Sequence, residues 1–311
     1  MAEYVRGRGW PTRSCDLLLR AALCSADIAA ESWRLWQAEF GLDQASWAEV
    51  RLLAAVAKRA DLGLDKRVAG IRKFVWAQTQ MQLVPAAEGL EALAAVGIPL
   101  LLLKGAARVA VDPAVASERL IRDVDVLVPV EQASMALETL IAHGWQFEGW
   151  QAKQREIHPI DAHHAWSVRR GRGEVDLHHY SNFLNRSEGI DSRLWDRSIP
   201  VTWRCIRVRV PAPADALLLA LIHGLRWSRE RAADWVLDSQ AAIASGVDWD
   251  ALVMSAQARG MEWIAYQGLT YLRERVQCPV PDSVLTTLLL GKTPTKEQQL
   301  YFYAYVPFVG I

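Results

Sequence analysis

Asp123 and Asp125 stand two residues apart in RDVDVLV, and a third aspartate, Asp176, sits between two apolar residues in EVDLHH. Successive side chains of an extended strand alternate faces, so Asp123 and Asp125 project to one side while Val124, Val126 and Val128 project to the other. Two carboxylates on one face make a seat for hard divalent ions such as Mg²⁺, which take carboxylate oxygens. A pair of such ions about 3.5–4 Å apart can neutralise a triphosphate and align its attacking and leaving oxygens. Asp176, on a neighbouring strand, can bind one ion and accept the proton of an attacking hydroxyl. The chemistry to expect is two-metal phosphoryl transfer.

Phosphate needs donors as well as cations. The run LLLLKG ends on Lys104 and Gly105, where a glycine lets backbone amides approach phosphate oxygens and the lysine supplies positive charge. Arg119 and Arg122 precede the acidic pair, and either can reach a phosphate as a bidentate donor or end in a surface ion pair. An isolated Asp-x-Asp is most often the solvent side of an alternating strand. Here it follows a buried-looking apolar run, and the apolar-acid-apolar pattern recurs at Asp176.

The elements that must hold these residues follow from periodicity. Residues 12–73 carry apolar side chains at helical spacing, and Ser46 with Glu49 forms a capping box ahead of a helix. Residues 64–96 read as two helices separated by Pro85 and closed by Gly97. IPLLLLKG is short and uniformly apolar, which predicts a buried strand. GAARVAVDP predicts a short helix stopped by Pro113, RDVDVLVP a second strand, and VEQASMALETLIAHGW an amphipathic helix ended by Gly144. Short strands are then expected in WQFEGW, HHAWSVRR, EVDLHHY and CIRVRVP, with a hairpin at Gly171 to Gly173. Helices return from Pro213. The expected class is α+β: an N-terminal helical region (1–97), a small mixed-sheet core (98–211) and a C-terminal helical region (212–311).

LLLKG, then RLIRDVDVLV, then EVDLHH resembles the polymerase-beta-type nucleotidyltransferase superfamily, and within it a poorly characterised bacterial group with Lys-Gly where most members have Gly-Ser. The resemblance covers about 98–210, with IHGLRW and WVLDSQAAI fitting a helical partner region. It implies transfer of a nucleoside monophosphate from a nucleoside triphosphate to an acceptor, with pyrophosphate released. By the same resemblance Asp123 and Asp125 bind the metals, Asp176 completes the triad, and Lys104 with Gly105 holds the triphosphate.

Composition narrows the partners. The 311 residues hold 35 Lys and Arg against 35 Asp and Glu, so no global field draws the protein to nucleic acid or membrane. No apolar run approaches a spanning length, the N-terminal stretch lacks the order of a signal peptide, and four scattered cysteines read as reduced thiols, which together predict a cytoplasmic protein. His158, His163, His164, His178 and His179 show no zinc-ligand spacing, but His178 shares a strand face with Asp176 and Glu174. RRGR at 169–172, WRCIRVR from Trp203 and RWSRER from Arg226 interleave basic and aromatic residues, as in proteins that bind single-stranded nucleic acid. His223 and Trp227 are candidates for an acceptor pocket or for core packing. A small molecule or peptide is the favoured acceptor. The alternatives are a toxin-like enzyme acting on tRNA or a partner protein, and a nucleotide-binding scaffold without turnover.

Overall fold

Six strands form one mixed sheet: β1 (Leu101–Leu102), β2 (Val124–Leu127), β3 (Ala165–Arg170), β4 (Gly173–His178), β5 (Ile199–Trp203) and β6 (Ile206–Val210). The computed structural model describes residues 10–149, 152–153, 159, 163–226, 233–291 and 293–296. Strand order is β3-β4-β2-β1-β6-β5. The central neighbours β2 and β4 run parallel, as do β1 and β6, while β1/β2, β3/β4 and β5/β6 are antiparallel. The chain divides into two compact units, 74–212 around this sheet and 1–73 with 213–311.

Period-two patterning decides what each face of the sheet meets. Val124 and Val126 of β2 with Val175 and Leu177 of β4 enter one apolar core, together with Leu83, Ala86, Leu90 and Leu93 from the helix Lys66–Ala95. Ala136, Leu137 and Leu140 of the helix Ala133–Ala142 join the same core. At about 25 cal/mol per Å² of apolar surface removed from water, these packed faces fix which side of each strand is left for polar residues. Asp125, Asp176 and His178 lie on that other side.

Several expected elements form as read. Ser46 and Glu49 make the capping box, with the Ser46 hydroxyl accepting from the Glu49 amide and the Glu49 carboxylate accepting from the Ser46 amide. The helix Lys104–Val111 is followed by a 3₁₀ turn at Pro113–Ser117. Gly144, at φ 81°, ends the helix before it and turns the fully buried Trp145 back, with the Trp145 amide donating to the Leu140 carbonyl. The β3/β4 hairpin closes through Gly171, at φ 59°, with Arg170 opposite Gly173.

Others differ. Pro85 does not divide 64–96: Lys66–Ala95 is one helix. A proline inside a helix costs about 3 kcal/mol, and four leucine and alanine side chains buried on both sides of Pro85 outweigh that. WQFEGW is no strand over its described residues, since only Gln146 forms a bridge, to Arg169, and Trp150 lies outside the described residues. HHAWSVRR is a strand only from Ala165, so His163 and His164 precede it. CIRVRVP begins its strand at Ile206, after a two-residue hairpin in which Arg204 and Cys205 take φ 48° and 68°. Its partner β5 was hidden by Pro200, which a sheet tolerates on an edge strand such as this one.

In the second unit Asp16 ties the helix Arg13–Leu23 to Glu262–Val276, accepting from Tyr271 Oη at 2.8 Å and from Arg275 Nε at 3.1 Å.

A Cβ on Gly173 would stand 2.7 Å from Pro85 Cβ and 3.2 Å from Trp145 Cη2. Gly173→Ala is therefore expected to destabilise the sheet unit by about 1–3 kcal/mol. Thermal unfolding reads this directly, and an unchanged midpoint would show that the helix yields instead.

Candidate active site

The site is set by one register. In the parallel pair β2/β4, Asp125 lies opposite Asp176, flanked by Val124 opposite Val175 and Val126 opposite Leu177. The valines and leucine go to the core, so the two carboxylates meet on the opposite face. His178 follows Asp176 on that face, its Nε2 3.1 Å from Asp125 Oδ1 and 3.5 Å from Asp176 Oδ2. Asp125, Asp176 and His178 each offer one ligand atom within 4.8 Å of the others, a group with the donors a divalent cation takes.

Charge in this cluster is balanced from within. Asp125 is 3 % exposed and accepts from Lys104 Nζ as well as from His178. Burial pushes its carboxyl up, but Lys104 and His178 outweigh burial and hold it below the ordinary carboxylate range. Asp176 behaves alike: burial opposes ionisation, and His178, Lys104 and the Ser167 hydroxyl that donates to it hold it well below that range. Burial works against a charged His178, yet the two carboxylates raise it to about 9. Its Nδ1 lies 3.3 Å from the Tyr180 carbonyl, so as an imidazolium it donates from both nitrogens.

Asp123 sits one residue before β2, outside the three-residue group. Burial first and the charge of Asp125 second raise it to about 6, with Lys104 acting in the other direction. Glu174 is also raised, by burial and by Asp176, although Arg169 beside it lowers it. Asp125 and Asp176 come together with His178, and Asp123, within reach of the charges of Asp125, Lys104 and Asp176, stands beside them as the carboxylate most easily protonated.

Lys104 opens the helix Lys104–Val111 with φ 50°, a left-handed conformation rare for a residue with a side chain. Strain of this kind survives only where its surroundings enforce it, here the ion pair with Asp125 and the Leu103 amide donating to the Asp125 carbonyl at 2.9 Å. The lysine ammonium therefore points at the carboxylates. Gly105 is needed for packing, since a Cβ there would come within 2.4 Å of Ile121 Cδ1. The same added Cβ would be 3.7 Å from the Arg119 guanidinium carbon, which places Arg119 at the Lys104-Gly105 turn. The buried Thr79 fixes that approach, its hydroxyl accepting from the Ile121 amide at 3.1 Å and donating to the Arg119 carbonyl. Arg122 is exposed and its charge acts on Glu174.

Residues 51–277 match the family described as "Uncharacterised nucleotidyltransferase". The chain belongs to this family. It is an enzyme of the nucleotidyltransferase class, with a nucleotide as substrate. No curated protein matches it in sequence.

Other candidates in the nucleotidyltransferase sort out by their contacts. Arg169 pairs with Glu174 and Glu148, Arg170 pairs with Glu88 and lies over Trp145, and Arg204 lies over the buried Trp203. His163 packs edge-on to Trp166, and neither it nor His164 or His179 joins the metal-seat group. His158 and Trp227, with the rest of RWSRER after Arg226, lie outside the described residues, while His223 is half-buried near Arg226. Sequence reasoning missed Ser167 and Thr79. Ser167 had a signal, a small polar residue between two buried ones in AWSVRR, whereas Thr79 inside an amphipathic helix had none. Among the described residues no helix is long and apolar enough to cross a membrane.

Two outcomes follow from this geometry. Asp123 titrates at about 6 in the fold against 3.8 in the free residue, so it favours the folded state fully below pH 3.8 and loses that contribution as pH rises through about 6. Asp123→Asn is expected to unfold like the parent at pH 3.5 and to be more stable at pH 7.5, by about 1–3 kcal/mol, in denaturant titrations at both pH values. Gly105→Ala should cost about 1–3 kcal/mol and recover part of it in an Ile121→Val background, which lacks the clashing methyl. Equal losses in both backgrounds would assign Gly105 a different constraint.

Proposed function

We propose that the enzyme is a metal-dependent nucleotidyltransferase that moves a nucleoside monophosphate from a nucleoside triphosphate to a hydroxyl or phosphate of a small molecule or peptide, releasing pyrophosphate. The observation that carries this reading is the register-locked Asp125–Asp176 pair, with His178 across both carboxylates, in a chain of the nucleotidyltransferase family.

The donor set fits Mg²⁺. A buried carboxylate, Asp125, and a half-buried one, Asp176, face each other across adjacent strands, and the Lys104 ammonium already lies against Asp125, so the pocket tolerates a cation at that point. Asp125 and Asp176, with Asp123 beside them, would hold the ions. Two bound Mg²⁺ ions would supply charge neutralisation at the α-phosphate and the leaving pyrophosphate. Asp176 takes the proton of the attacking hydroxyl. His178 Nε2, 3.5 Å from Asp176 Oδ2, would orient it. Lys104, whose ammonium lies against Asp125, would supply positive charge to the triphosphate. The Gly105 amide at the helix N-terminus and the Arg119 guanidinium complete that cradle, with Arg122 at its outer edge.

Internal pairing of Arg169 and Arg170 supports a small acceptor over tRNA, because two arginines of one of the three basic segments are already engaged. The free thiols Cys15, Cys24 and Cys278, all buried, support a cytoplasmic setting.

Asp125→Ala is expected to lower transfer of label from an α-labelled triphosphate by about a thousandfold or more with Mg²⁺ and acceptor present. Full transfer by that variant would overturn the reading. Nucleotide binding that is independent of metal and gives no pyrophosphate with any acceptor would favour the scaffold alternative.

A further inference from the structure

A run of planar groups leads away from the carboxylates on the same unit. The His164 ring packs edge-on to the His178 ring at 5.3 Å, and Phe183 packs edge-on to His164 at 5.7 Å. Arg186 lies over the Phe183 ring, 5.5 Å from its centre. Phe183 is 39 % exposed, unlike the residues just before it in the chain, since Ser181 and Asn182 are buried.

The loop that displays this ring is held from inside. Ser181 donates to Asp191 through its amide at 2.8 Å and its hydroxyl at 2.6 Å. Asn182 Oδ1 accepts from the amides of Leu184 at 3.0 Å and Asn185 at 3.1 Å. Polar anchors of this kind fix a loop's conformation without burying its apolar residue, so the ring is presented at a constant place. Asn182 Nδ2, buried beside it, has no hydrogen-bond partner among the described residues.

We propose that Phe183 and Arg186 form the stacking platform for the base of the nucleoside triphosphate; this rests on the nucleotidyl-transfer reading given above. Every nucleobase offers a flat π-face, and aromatic rings and guanidinium planes are the protein surfaces that take it. In a nucleotide the ribose separates the base from the α-phosphate. Two ring-to-ring contacts, of 5.3 and 5.7 Å, separate His178 from Phe183, so the ring stands apart from the carboxylates as a base stands apart from its phosphates.

The test is calorimetric and needs no acceptor. The full chain is titrated with Mg²⁺ and a non-hydrolysable nucleoside triphosphate, and separately with Mg²⁺ and inorganic triphosphate. Phe183→Ala is expected to weaken nucleotide binding by about tenfold or more and to leave inorganic triphosphate within about twofold of the parent, while Phe183→Trp keeps parental nucleotide affinity. Parental nucleotide affinity in Phe183→Ala would overturn the platform and leave the nucleotidyl-transfer reading standing. Equal loss of both ligands would also overturn it, by showing that the ring supports the cation seat. A parent chain that binds no nucleotide would overturn the platform together with the reading it rests on.

Discussion

Parallel pairing of β2 with β4 is the constraint on which the site depends. The two strands are far apart in sequence, and nothing but the match of their apolar faces to one core puts Asp125 opposite Asp176. A slip of β4 by one residue would turn Asp176 into the core and expose Val175 and Leu177. The energy that prevents this is hydrophobic and belongs to residues that do no chemistry. Two carboxylates held close in a poorly hydrated place repel each other, and the core supplies the force that keeps them there.

Compensation within the site is nearly complete. Lys104 and His178 pair directly with Asp125 and Asp176, while at Asp123 burial and the charge of Asp125 outweigh the opposing pull of Lys104 and raise the pKa. Buried charges are tolerable when paired and costly alone, and the difference between Asp125 and Asp123 illustrates this within two residues of one chain. A site arranged in this way is folded and ready before any ligand arrives, with a single carboxylate left unsettled.

Much of this was legible in the sequence, for reasons that are local. Alternation in DVDVLV and VDLHH is a property of each strand alone, as are the hairpin at Gly171 and the capping box at Ser46. What could not be read was non-local. Which strands are neighbours decided that Asp176 meets Asp125 and not Asp123, and β2 skips β3 to reach β4. Pro85 looked like a break because its cost is local, while the burial that overrides it comes from the rest of the unit. Arg204 and Cys205 turn a tight hairpin without the Asn-Gly or Gly pair by which such turns are recognised.

Pro200 has a consequence for the sheet as a whole. Trp203 and Ile206 close a two-residue loop, so along β5 the odd-numbered residues direct their backbone groups to β6 and the even-numbered ones direct theirs outward. Pro200 is even-numbered and has no N–H. Among the described residues β5 is an edge of the sheet, and at Pro200 that edge lacks a donor that an added strand would need, which weakens it as a template.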